Sequence, residues 1–419
     1  MNIIGKKVLL PLCFIITVAA QILSQTKFLG IVFIALFLLF YIQNGRISIN
    51  KAYNNRFFRL YVVLLIYTLF ITTFSMFFGF NIKTESFFNI YIYRYLLLGI
   101  MAIVVASNAD LDAWVNFIKI LTLILSIFGL FEGFFKINPT LIFLRDTTQN
   151  QLIHLGRVMS IFGHPNIYGC FLSVSLFYII NKPFKYVLIQ TISIILVIIN
   201  VLLTQSRAAC LAIVIVAIVI LTKKTILSIK SGKTKTINLS KLFLYFFAVC
   251  IVGIVFVFFW NNIQVIIDRL LNKVQTSSID TDDIRFDTII NYINFAKQPK
   301  NFFYVLFGKG IGYSMQFMNE HPVGHHGYWN VTTDNNYITL LLDVGLIGTA
   351  LFIYLLFYSI KHLIKTSKIH AISIIVISIE MFSFEAFGWN ALLFLYLISA
   401  YFLFAESATN ERVLKRRIQ

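Results

Sequence analysis

The stretch that decides the fold is YVLIQTISIILVIINVLLTQSRAACLAIVIVAIVILT, residues 186–222. Two apolar runs, 186–203 and 207–222, flank a short polar turn containing Gln205, Ser206 and Arg207. Each run is close to the ~20-residue length of a bilayer-crossing helix. Neither shows the ~10-residue alternation of an outer-membrane barrel strand. The pair reads as two spanning helices, one on each side of a turn at the membrane surface.

Working outward, the same pattern recurs along the chain. The expected spans are 8–24, 28–42, 60–80, 87–106, 114–135, 166–180, 186–203, 207–222, 242–260, 336–360, 370–387 and 390–405. Trp389 and Asn390 after Gly388 make the last turn very tight. The fold class is therefore an all-α polytopic membrane protein of about twelve helices, with residues 1–419 forming a single membrane domain. Composition agrees: 59% of the 419 residues are apolar and 12% are charged, about half the charge of an ordinary soluble chain. The net charge of +18 does not point to nucleic acid, because the charges sit in short blocks between apolar runs. Cys13, Cys170, Cys210 and Cys250 lie in apolar segments without metal-ligand spacing and read as small buried hydrophobes. Lys6 and Lys7 precede an apolar run, but no convincing cleavage site follows, so the first segment reads as a retained helix.

The basic blocks set the orientation. With the N-terminus in the cytoplasm, the inner segments hold 21 Lys and Arg and the short outer segments hold 6. Positive residues accumulate on the cytoplasmic side, so both termini are expected inside. Two outer segments then stand out, 136–165 and 261–335. The second is far longer than ordinary connections and reads as a functional extracytoplasmic loop before the tenth span. Within it, 283–297 has helical periodicity, with Thr281 or Asp282 as cap and Phe286, Ile289, Ile290, Ile293 and Ala296 on one face. That helix would lie on the membrane surface or pack on the bundle.

Three polar clusters fall where an outward-facing end meets a span. These are Arg157 with Gly163-His164-Pro165-Asn166, then Gln205-Ser206-Arg207, then Thr332-Thr333-Asp334-Asn335-Asn336. A helix N-terminus offers unpaired N–H groups and partial positive charge, and so suits an anion. Ser206, Asn166, Asp334 and Pro165 are also ordinary helix-start residues, and capping explains each of them alone. It does not explain Arg157, Arg207 and Arg285, which lie outside against the charge bias. Three arginines beside a row of helix N-termini suggest a phosphate or diphosphate site.

Arg157 with SIFGHPNIYG (160–169), LLTQSRAA (202–209), DIRFDTIINYI followed by LFGKGIGYS (283–314), and DNNYITLLLDVGLIG (334–348) resemble, in this order, the O-antigen ligase and Wzy polymerase family of membrane glycosyltransferases. The resemblance covers roughly residues 155–350. It implies a GT-C-like enzyme of the bacterial cytoplasmic membrane with its active site outside. Its substrates would be undecaprenyl-diphosphate-linked glycans, met among membrane lipids, with a chain-length regulator and a flippase as further partners, and no cofactor or metal. The family's outer arginines fall on Arg157, Arg207 and Arg285, which would hold the donor's diphosphate. His164, Asn166, Asn335, Tyr337, His325 and His326 are the further substrate-binding candidates. Ligases of this family usually carry His where this chain has Asp334. That departure fits a polymerase, with Asp334 as general base if a partner tunes it; His321, His325 and His326 lie upstream as substitutes. A ligase acting on another acceptor is the alternative, and a flippase is the alternative of another class. The Gly308–Gly312 turn matches a glycine-rich element of the family's loop and equally a plain tight turn.

Arg94, Glu132, Asp343, Glu380 and Glu385, charged residues inside expected spans, are costly and hence informative. Arg94 and Glu132 are expected to pair, Asp343 to orient an arginine, and Lys119 to snorkel. HPVGHH at 321–326 lacks a second ligand cluster for zinc. SGKT at 231–234 lacks the first glycine of a phosphate-binding loop.

Overall fold

The computed structural model describes residues 3–22, 49–78, 87–138, 157–230, 284–323, 332–366 and 369–418. The expected spans 28–42 and 242–260, the proposed caps Thr281 and Asp282, Cys250, His325 and His326 lie outside them. Each of the ten other expected spans overlaps a described helix: α1 (Ile3–Ile22), α2 (Arg56–Phe77), α3 (Phe87–Asn108), α4 (Leu111–Phe135), α5 (Pro165–Asn181), α6 (Val187–Thr204), α7 (Arg207–Lys230), α11 (Asn336–Thr366), α12 (Ile369–Glu380) and α13 (Asn390–Ile418). Among the described residues between α7 and α11 are three shorter α-helices, α8 (Ile284–Ala296), α9 (Phe302–Phe307) and α10 (Tyr313–Glu320). The protein is an all-α, multi-pass membrane protein: α2, α3, α4, α6 and α11 are each long and apolar enough to cross a bilayer.

Burial sorts the helices. On α5, α12 and α13 apolar residues are buried on every side, as in Ile167–Ile179 and Ala391–Leu403, and these three form the centre. The outer helices keep one apolar face uncovered. On α2, Val63, Ile66 and Phe70 are each 63% exposed, a stripe at helical spacing that faces lipid in a spanning helix. Rings of Phe14, Trp114, Phe171 and Phe394 join α1, α4, α5 and α13 in the core.

The structure corrects three expectations. On α8 the buried residues are Thr288, Tyr292 and Phe295, while Phe286, Ile290 and Ile293 are exposed. The larger aromatic rings win the buried face, packing with Tyr313, Phe317 and Met318 of α10 and Ile338 and Leu342 of α11. Next, α12 stops at Glu380, not at 387. The backbone N–H groups of Ser383 and Phe384 and the Ser383 hydroxyl all donate to the Glu380 carbonyl, which closes the helix and opens a longer turn, Met381–Trp389. Finally, Arg94 and Glu132 do not pair. Arg94 Nε donates to Asn390 Oδ1 at 3.2 Å, and Glu132 accepts from the backbone N–H groups of Met159 and Ser160 at 3.1 and 2.7 Å. Lys119 reaches the Pro183 carbonyl and lies over the Phe184 ring.

Candidate active site

The first half of the site is built where α5 and α7 begin. His164 caps α5, its Nδ1 accepting from the Asn166 N–H at 3.2 Å, with Pro165 in the first turn. The imidazole does the capping expected of Asn166, because it already points back along the helix from an extended backbone. The Asn166 side chain instead accepts from Arg157 Nη2 at 3.0 Å. Ser206 sits just before α7 and accepts from the Ala209 N–H.

Arg157 is held by its backbone as well as by its head group. Its Nε donates to the last carbonyl of α6, Thr204, at 3.1 Å. The Val158 N–H donates to Leu203, and Glu132 takes the next two N–H groups. The segment is thus stapled between α4 and α6, and the guanidinium projects over the start of α5. Burial, then the positive charges of Arg285 and Arg207, push Arg157 below the usual arginine range. Burial, then Arg157 and Arg285, bring His164 down to about 4. So the structure brings Arg157, Arg207, Arg285, His164 and Asn166 into one neighbourhood. Like charges gathered this closely favour an anion.

The second half lies where α11 begins. Asn335, not Asp334, is the cap: its Oδ1 accepts from the N–H groups of Tyr337 and Ile338. Asp334 stands one residue earlier with a left-handed φ of 47°; Thr332 Oγ1 donates to its carboxylate at 3.0 Å. Asn336 fastens this turn to the Met381–Trp389 turn, its N–H donating to Met381 and its Oδ1 accepting from Phe387 N–H at 2.6 Å. Glu385 lies on the turn so fastened, close enough to feel the Asp334 charge. Burial raises the Glu385 pKa, Arg94 opposes the rise, and Asp334 adds to it. The Trp389 ring packs on His164 with centroids 5.6 Å apart, so the cationic and acidic halves adjoin.

Among the predicted residues, Asn335 and Tyr337 have scaffolding partners. The Tyr337 hydroxyl donates to Ser378 and its ring packs on Phe382. Sequence reasoning did not connect Glu385, Trp389 and Asn390 with the site. Glu385 in an apolar stretch was a signal, but nothing linear links it to Asp334. Asp343 does not orient an arginine. Its carboxylate accepts from the backbone N–H groups of Gly312 and Ser314 at 3.2 and 2.8 Å. The glycine-rich segment is a docked element, with positive φ at Gly308, Gly310 and Gly312 and with Gly308 packed on the break in α11 at Gly345.

Residues 192–353, from within α6 to within α11, match the family model described as O-antigen ligase. The chain carries an O-antigen ligase family domain. This domain contains Arg207, Arg285, Asp334, Asn335 and Tyr337, whereas Arg157, His164, Asn166 and Glu385 flank it. No curated protein matches the chain. The O-antigen ligase match on a multi-pass helical scaffold supports a ligase- or polymerase-type membrane enzyme.

Proposed function

We propose that the protein is a polymerase that joins undecaprenyl-diphosphate-linked oligosaccharide repeat units into a surface polysaccharide. The reaction takes place on the outer face of the cytoplasmic membrane, with both termini inside. The observation that carries this reading is the adjacency of an arginine cluster to the two tied turns that bear Asp334 and Glu385, joined through His164 and Trp389.

Arg157, Arg207 and Arg285 hold the donor's diphosphate and neutralise the charge that grows on it as it leaves. Asp334 accepts the proton of an acceptor hydroxyl. The acceptor oxygen forms a bond to the anomeric carbon from the face opposite the leaving group. The bond from that carbon to the diphosphate oxygen breaks, the configuration inverts, and the lipid diphosphate departs with the bonding electrons. The energy comes with the substrate, so no nucleotide enters. A chain-length regulator and a flippase are the partners this role requires. The family description favours one further reading, transfer of a finished glycan to another acceptor.

The test uses purified protein in nanodiscs with a lipid-diphosphate-linked repeat unit. A polymerase gives a ladder of lengths, and a ligase gives a single shift. Arg207→Ala and Arg285→Ala should each lower turnover by about 10²–10³-fold, the usual cost of losing one charge-stabilising donor. Near-normal turnover in both variants would remove the arginines from the mechanism.

A further inference from the structure

Residues 299–320 reach much deeper than a surface loop would. The Tyr67 hydroxyl donates to the carbonyls of Phe307 and Val344 at 2.8 and 3.2 Å, and Thr72 Oγ1 accepts from the Ile311 N–H at 3.1 Å. Tyr67 lies ten residues from the end of α2 at Phe77. At ~1.5 Å per residue it is about 15 Å inside that end, half of a ~30 Å hydrocarbon core. Thr72 is about 8 Å inside it.

Non-helical backbone survives at such depth only where its polar groups are satisfied within the protein. That condition is met residue by residue. The N–H groups of Lys309 and Gly310 donate to the carbonyls of Leu342 and Asp343 at 3.0 and 2.9 Å. Those of Gly312 and Ser314 donate to the Asp343 carboxylate, and that of Ile311 to Thr72. The break in α11 at Gly345 (φ 65°, ψ −173°) releases the carbonyls that receive these bonds. Lys309 is buried, its Nζ donating to the Tyr313 hydroxyl and lying 4.3–5.1 Å from the ring centroids of Tyr313, Tyr304 and Phe295. Cation–ring contact of this kind is stronger where water is excluded.

The outer side of the element is apolar. Phe302 is 66% and Phe303 45% exposed. Phe303 packs at a tilt on Phe74, which stacks on Phe70 and packs at a tilt on Phe78. This ladder continues the uncovered apolar stripe of α2 without interruption.

We propose that residues 299–320 are a re-entrant element that enters and leaves the membrane at its exposed ends, Lys300 and Glu320, and whose Phe302 and Phe303 pack against lipid acyl chains. The element carries the ring cluster on which α8, and with it Arg285, is seated. The proposal concerns lipid contact and does not depend on the reaction.

The test places a spin label at Phe303→Cys, and separately at Phe302→Cys, in the full chain with its four cysteines replaced by alanine, reconstituted in nanodiscs. Labels at Phe70→Cys and Glu320→Cys give the lipid-facing and aqueous references. Membrane insertion predicts an oxygen-to-nickel collision ratio at 302 and 303 equal to that at 70 and several-fold above that at 320. Ready collision with the nickel reagent would overturn the proposal. So would shielding from both quenchers, which would mean that protein, either a second copy or another part of this chain, covers the face. If the cysteine-free protein does not fold, hydroxyl-radical footprinting of the unmodified protein decides. Oxidation of Phe302 and Phe303 no faster than Phe70 supports insertion, and rates matching water-exposed side chains overturn it.

Discussion

Changing Asp343 to Asn isolates the bond between the deep turn and the broken helix. The carboxylate accepts two backbone N–H groups, from Gly312 at 3.2 Å and Ser314 at 2.8 Å, and is 4% exposed. An amide keeps one accepting oxygen and turns an NH2 toward the other N–H. One buried donor is then orphaned, at a cost of about 1–3 kcal/mol. With a tenfold change for every ~1.4 kcal/mol, the turn should open roughly five- to hundred-fold more often. Hydrogen exchange followed by mass spectrometry, in nanodiscs, reads this directly on peptides covering 302–320. Asp112→Asn is the control. Its pair with Lys182 is solvent-exposed, the Asp112 side chain being 74% accessible, and such pairs contribute about 0–1 kcal/mol. Exchange of 302–320 in Asp343→Asn that matches wild type would refute the account of the turn.

Three further outcomes follow from the same contacts. Gly345→Ala should unfold the outer half of α11 or abolish expression, since its Cβ would overlap the Gly308 nitrogen and sit on a backbone conformation reserved for glycine; thermal melts check this. Glu132→Ala removes the acceptor of two buried N–H groups, of Met159 and Ser160, at about 1–3 kcal/mol each, and should lower both melting temperature and turnover because Arg157 lies two residues before Met159 in the same stapled segment. For His164, the folded pKa of about 4 lies below the ordinary 6.5, so the unfolded chain binds more protons between these values. Stability should therefore fall as pH drops from 6.5 toward 4, and His164→Asn, which keeps a capping side chain, should lose less over that window in a melting series.

Much of the fold was legible in the sequence because lipid imposes one rule, backbone bonds closed within each helix, and apolar runs near the spanning length announce it. Helix ends were harder. At α5 and α11 three adjacent residues compete for the cap, and the winners, His164 and Asn335, were decided by backbone geometry outside the helices. The arginine neighbourhood of Arg157, Arg207 and Arg285 was legible as a charge anomaly. The acidic half was not: the turns of Asp334 and Glu385, some fifty residues apart, come together only because Asn336 ties them. The face of α8 misled because aliphatic periodicity gave Ile290 and Ile293 the same standing as Tyr292 and Phe295, while ring area decides the packing. Asp343 seemed a partner for arginine because the turn that occupies it docks from a different stretch of the chain.

The most direct measurement is glycan extension by the purified protein in nanodiscs, with a single lipid-diphosphate-linked repeat unit as sole substrate, EDTA present and no nucleotide added. The account predicts a ladder of lengthened lipid-linked products and free lipid diphosphate in equal number to the new linkages. No extension under these conditions by protein that is folded and binds the lipid diphosphate, or extension only after a nucleotide sugar is supplied, would contradict it.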